Sequence, residues 1–186
     1  MLDQFMEEVV TRRNRTMENV LMAVANISMV LSGILAMFLI QSLMMVISTQ
    51  GFGAETIFYI VLTLFFAASA VLLFLFRDRI RTEYEYTFTN ATMDFAQVYN
   101  NRKRKALGTM NIRNVEACGM VNSGSFNRYL NTPGVTRLNW FLNRDANLFY
   151  FYFVKDSKKT LLIIEPSDAM LALIKKNVGQ GKFQVN

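Results

Sequence analysis

The chain has 186 residues, of which 52% are hydrophobic, with twenty basic and fourteen acidic side chains, one cysteine and no histidine. The missing histidine removes the usual general base near neutral pH, every Ser–His or Cys–His nucleophile pair and every imidazole metal ligand. A single cysteine forbids an intrachain disulfide and, without histidine, argues against a zinc site, so neither an enzyme nor a cofactor is expected.

The N-terminal segment opens the chain with Leu2, Phe5, Met6, Val9 and Val10 at i, i+3, i+4, i+7 and i+8. This spacing predicts an amphipathic helix over residues 1–16, lying on a membrane surface or on the rest of the protein.

Residues 17–81 read as a membrane unit. No charge occurs between Glu18 and Glu55, and none between Glu55 and Arg77. The two runs predict transmembrane helices at about 20–47 and 56–76, each able to cross ~30 Å of hydrocarbon. The first run is too long for the apolar core of a signal peptide. Between them, residues 48–54 read as a tight turn. Basic residues flank both outer ends, as Arg12, Arg13 and Arg15 before the first span and Arg77, Arg79 and Arg81 after the second. The connecting turn has none, so the positive-inside rule puts both termini in the cytoplasm of a cell-membrane protein. Small side chains at Ser28, Ser32 and Ala36, and at Thr63, Ala67 and Ala70, form stripes for close helix packing, between the two helices or between copies. Asn26 and Gln41 are polar positions within the first span, and no ionisable residue lies inside either. That argues against a pump or a proton-coupled transporter.

From residue 82 to 186 the hydrophobic period becomes two. Alternation predicts strands at 83–89 and 92–99, then a basic turn over Asn100–Lys105, then strands near 106–113 and 115–121. A loop carrying Gly124 and Thr132-Pro133-Gly134 follows. Strands at 137–142, 148–154 and 160–164 complete about seven. A helix is expected at the end, with Pro166 at its first position, Asp168 in its first turn, Met170, Leu171, Ile174 and Val178 on one face, and Gly179 as its stop. The strand Phe149-Tyr150-Phe151-Tyr152-Phe153 is apolar on both faces and must be covered on both. Cys118 sits among small apolar neighbours and reads as core.

Residues 1–81 carry six charges of each sign, while 82–186 carry fourteen basic and eight acidic, so the net +6 belongs to the second part. An anionic neighbour is implied, with lipid headgroups the nearest; no nucleic-acid reader motif is present. Arg102, Lys103, Arg104 and Lys105 are the candidate anion- or lipid-binding residues.

Two apolar helices, the Tyr84-Glu85-Tyr86 strand, the Arg102–Lys105 turn and the Ile163-Ile164-Glu165-Pro166 lead into a final helix together resemble bacterial two-pass proteins with a C-terminal PH-like domain. The resemblance implies a membrane helical hairpin plus a mainly-β barrel or curved sheet closed by the C-terminal helix. Such domains are similar in fold to phosphoinositide readers without their lipid-binding motif, so no binding residue carries over. The function expected is a membrane-anchored scaffold, working with membrane lipids and with an unidentified protein partner or a second copy. A sensor of anionic headgroups is the alternative. A transport-complex subunit is a weaker reading, because two helices enclose no path.

Overall fold

A computed structural model describes residues 4–184. The chain divides into two compact units: Asn14–Arg81, and the remainder on either side of it, up to Arg13 and from Thr82 onward.

The inserted unit is a helical hairpin. Helix α1 spans Thr16–Gln50 and α2 spans Ala54–Phe76, followed by a 3-10 turn at Arg77–Ile80. The Asn14 side chain accepts the Thr16 N–H at 3.0 Å, which satisfies one of the free amides at the start of α1. Gly51 stops the helix with φ +72°, a left-handed conformation that costs glycine little, and Thr56 caps the turn by donating to the Gly51 carbonyl at 2.8 Å. The helices pack against each other. Met22, Ala25 and Ala36 are buried on α1, while Met29, Ser32, Leu39 and Leu43 are half-buried on the same stripe. Both helices are long and apolar enough to cross a membrane, and only 6% of each apolar window is buried. A core helix of a globular domain would be mostly covered.

The second unit holds nine strands and two short helices among the described residues. Strand β1 (Phe5–Val10) pairs antiparallel with β2 (Thr82–Thr89), which continues to β3 (Thr92–Tyr99) and β4 (Lys103–Asn111), giving a sheet ordered β1-β2-β3-β4. The second sheet has the order β6-β8-β7-β5-β9. It is built from β5 (Ala117–Met120), β6 (Thr136–Trp140), β7 (Phe149–Lys155), β8 (Lys158–Ile164) and β9 (Phe183–Gln184). Helix α3 (Gly124–Leu130) lies between β5 and β6, and α4 (Asp168–Asn177) follows β8. Two two-residue hairpin turns, Asn90-Ala91 and Asp156-Ser157, have both residues at positive φ, as do Asn100 and Asn101 of the three-residue turn that ends on Arg102. The two-residue form is the turn whose twist suits paired strands.

The main core lies between the sheets: Tyr86, Phe88, Met93 and Phe95 face Phe149, Phe151, Leu162 and Ile164, joined by Met170 and Ile174 of α4. A second cluster fills the other side of β7 and β8, where Phe126 of α3, with Tyr129 and Leu130, packs on Tyr150, Tyr152, Leu161 and Ile163. The aromatic strand is thus covered on both faces, one by the first sheet and one by α3.

Several expectations are corrected. Residues 5–10 are a strand, not a helix, and belong to the β domain; Leu2 lies outside the described residues. One or two helical turns are marginal in isolation, whereas a six-residue ladder to β2 satisfies the backbone groups and ends on Val9-Val10, which favour strands. The predicted barrel is two separate sheets, because the 3-10 turn Ile112–Asn114 carries the chain off β4 and onto the second sheet. Two strand pairs are parallel, β6 with β8 and β5 with β9. The loop after β5 contains α3. At α4 the cap is Ser167, whose Oγ accepts the Met170 N–H, so Pro166 precedes the helix. The helix stops at an extended Val178, not at a left-handed Gly179.

Candidate functional site

The register of the first sheet brings three chain features to one end of it. Val10 opposes Tyr84, Tyr84 opposes Gln97, and Gln97 opposes Lys105; beside them Thr82 opposes Tyr99, which opposes Lys103. The strand end where β1 leaves and β2 begins is therefore the end that carries the β3–β4 turn. The helical hairpin is an insertion between two paired strands, and the basic turn lies beside its two points of attachment.

Of the four candidate basic residues only Arg102 is in the turn, its N–H donating to the Tyr99 carbonyl at 3.0 Å. Lys103, Arg104 and Lys105 open β4, which corrects their placement in a turn, and all four are exposed. Strand alternation divides them. Lys103 and Lys105 share a face with Tyr84, Gln97 and Tyr99, whereas Arg104 points to the opposite face, its Nε 2.8 Å from Glu85 Oε2. A β-bulge between Phe95 and Ala96 sets this parity by leaving Leu107 unopposed. Tyr84 next to them is half-buried, and burial, reinforced by Tyr99, raises its pKa.

A polar cleft of about 440 Å³ borders the outgoing end of β1, lined by Glu8, Val10, Thr11, Arg13, Asn143, Glu165 and Ser167 among others. Its groups satisfy one another. Asn143 donates to the Thr11 carbonyl at 3.0 Å and accepts the Arg13 N–H at 3.0 Å, so its amide imitates a strand partner for the departing chain. Glu165 accepts from the Leu142 and Asn143 N–H groups and from the Asn143 amide. Glu8 accepts from the N–H and Oγ of Ser167, and Arg13 pairs with Asp145 at 2.8 Å. Tyr86 links the two sheets by donating to the Trp140 carbonyl and accepting the Glu165 N–H. Burial drives its pKa upward. These bonds fasten the N-terminal segment to the rest of the domain. Sequence alone does not single out Glu8, Asn143 and Glu165 for that role. Their signal is faint: isolated polar residues beside hydrophobic runs.

In the hairpin, Arg77 donates to Asn26 at 2.6 Å and Arg81 to Asn19 at 2.8 Å. The two asparagines stand two helical turns apart on one face of α1. Arg77 also lies 5.5 Å from the Phe74 ring, and Arg79 lies 4.7 Å from that of Phe76. Arg15 occupies the position before α1, and Arg12 belongs to the β domain. Among the packing residues, Ala36 is buried and Ser28, Ser32, Thr63, Ala67 and Ala70 are half-buried. The larger Met22, Met29 and Leu43 share the stripe on α1, so the seam is not made of small residues alone.

Compared with known proteins, the chain matches the model of a family described as a bacterial PH-like domain over residues 2–183. No curated protein and no solved structure matches it.

Proposed function

Since the chain belongs to the bacterial PH-like domain family, we propose that it is a non-catalytic, membrane-anchored scaffold that holds this domain against the cytoplasmic face of the cell membrane for a protein partner. One observation carries the reading: the helical hairpin is inserted between register-paired β1 and β2. Two short connections leave adjacent strands, about five residues each, and extended chain reaches only ~3.3 Å per residue. The domain is thereby tethered twice, and its freedom to turn away from the bilayer is far less than with one linker. The basic flanks Arg12–Arg15 and Arg77–Arg81 support cytoplasmic termini. The test is labelling of intact cells with an impermeant thiol reagent, in a variant carrying Cys118→Ala. Phe52→Cys is expected to react and Lys158→Cys to react only after lysis; labelling of position 158 in intact cells overturns the orientation.

A second reading, contact with anionic headgroups, is favoured by the basic turn sharing the strand end of the two tethers. Arg102, Lys103 and Lys105 then lie within reach of lipid charge, screened over ~8 Å, each contributing about 1 kcal/mol near the surface. Arg104 contributes less, being held by Glu85. The full-length protein, carrying an environment-sensitive dye at Ala106→Cys, is reconstituted in liposomes of rising anionic content. A spectral shift at low salt is expected, lost in high salt and lost when Arg102, Lys103 and Lys105 become glutamine. A dye that does not sense anionic lipid rules this reading out.

A further inference from the structure

We infer that α1 carries a self-association face, centred on Gln41, through which two copies of this chain pair inside the membrane; the inference rests on the hairpin spanning the bilayer. The limits of the hydrocarbon layer follow from the hairpin's own groups. At one side Arg77 is held by Asn26, which marks the depth where charge is tolerated. From Asn26 to Ile47, where the polar run Ser48-Thr49-Gln50 begins, α1 rises roughly 31 Å at ~1.5 Å per residue, matching a hydrocarbon thickness of ~30 Å. Gln41 then lies about 9 Å inside the far boundary, deeper than its own side chain can reach back.

Its neighbours settle which way it faces. Gln41 is exposed and shares a groove on the outer surface of α1 with Ile34, Met37, Phe38 and Ile40. Met37 and Phe38 are 71% and 62% exposed, so α2 does not cover this side. Ile34, Met37, Phe38 and Gln41 recur at i, i+3, i+4 and i+7, the spacing of a helix-packing seam. Among the described residues the Gln41 carboxamide makes no hydrogen bond. Several other polar groups at these depths do. Ser42, Thr63 and Ser69 donate to carbonyls of their own helices, and Asn26 accepts from Arg77. Gln41 is the amide left facing lipid, where an unsatisfied polar group is costly.

A second copy is the occupant that this chemistry selects. Copies inserted with one orientation and related by a two-fold axis along the membrane normal bring identical residues together at identical depth. A carboxamide is both donor and acceptor, so Gln41 of each copy satisfies the other, and Ile34, Met37 and Phe38 fill the seam around them. A different partner would need a matching polar group at that depth.

The experiment uses the full chain in liposomes, labelled separately with donor and acceptor dyes at Lys158→Cys in the Cys118→Ala background, over a range of protein-to-lipid ratios. Energy transfer that saturates with a monomer–dimer dependence is expected. Gln41→Leu, which keeps the helix apolar, should move the midpoint about tenfold toward higher protein density, the value of one interhelical amide pair in a bilayer. Gln41→Asn should restore part of the loss, and Ser69→Leu on α2 should change nothing. Oxidative crosslinking through Met37→Cys should exceed that through Phe65→Cys. A monomer at every density, pairing unaffected by Gln41→Leu, or preferential crosslinking through Phe65→Cys would each overturn the inference.

Discussion

Cys118 shows how a side chain without catalytic use still sets a measurable property. It lies fully buried between Ala117 and Gly119 in β5, and burial pushes its thiol up to about 12, with Lys182 pulling slightly the other way. Tyr86 and Tyr150 are raised in the same direction by the same cause, Tyr150 being eased by its hydrogen bond with Ser125. Each group binds its proton more tightly folded than unfolded. Their contributions are therefore complete below the unfolded values, 9.0 for the thiol and 10.0 for the phenols, and fade as pH rises through the folded ones. Stability of the β domain should be flat with respect to these groups up to about pH 8.5 and decline beyond it. Cys118→Ala should reduce the slope near pH 9–10 in denaturant titrations, though it leaves the tyrosine part. An unchanged slope would mean that Cys118 ionises freely in the fold. Next to it, Gly119 is required by contact: a Cβ there would stand 2.8 Å from the Gln184 carbonyl, so any side chain displaces β9.

Among the elements, the insertion of the hairpin makes a sharp prediction. Val10 and Tyr84 are paired residues of neighbouring strands, so the ends left by removing Asn14–Arg81 are close enough for a few glycines and serines to join. Such a chain should be soluble and cooperatively folded. Residues 82–186 alone lack β1, leaving the β2 edge unpaired and the Asn143–Glu165 cluster without Thr11 and Arg13. They should be less stable by at least ~2–4 kcal/mol, given the buried Val10 and the lost hydrogen bonds. Comparison of their urea midpoints checks this; equal midpoints would make β1 an accessory. The same strand shows where sequence reading stops. Helices α1 and α2 are legible because so long a charge-free run in a short chain fits little besides a membrane span, and β2 because strict alternation fits only a strand. The residues of β1 fit helical spacing as well as strand, and only the open edge of β2, some seventy residues away, decides between them. Helix α3 is hidden because its seven residues begin on glycine and offer only Phe126, Tyr129 and Leu130 to the core. The basic tetrad is plain as charge, but its division between two faces depends on the Phe95/Ala96 bulge, which alternation alone does not reveal.

Across the whole molecule, sequence order and spatial order diverge. Strand β1 is an edge of the first sheet, yet its partner β2 is synthesised only after both apolar helices and their turn. Correct pairing requires that residues 5–10 and 82–89 emerge on the same side of the bilayer, which holds only when an even number of spans has been inserted. A chain in which one helix failed to enter would strand β1 across the membrane from β2, and Glu8, Thr11 and Arg13 would never meet Ser167 and Asn143. The domain would then present a bare sheet edge and an undone cluster to proteases. The β1–β2 ladder thus works as a parity check: it closes only when both ends of the hairpin lie on one side of the bilayer.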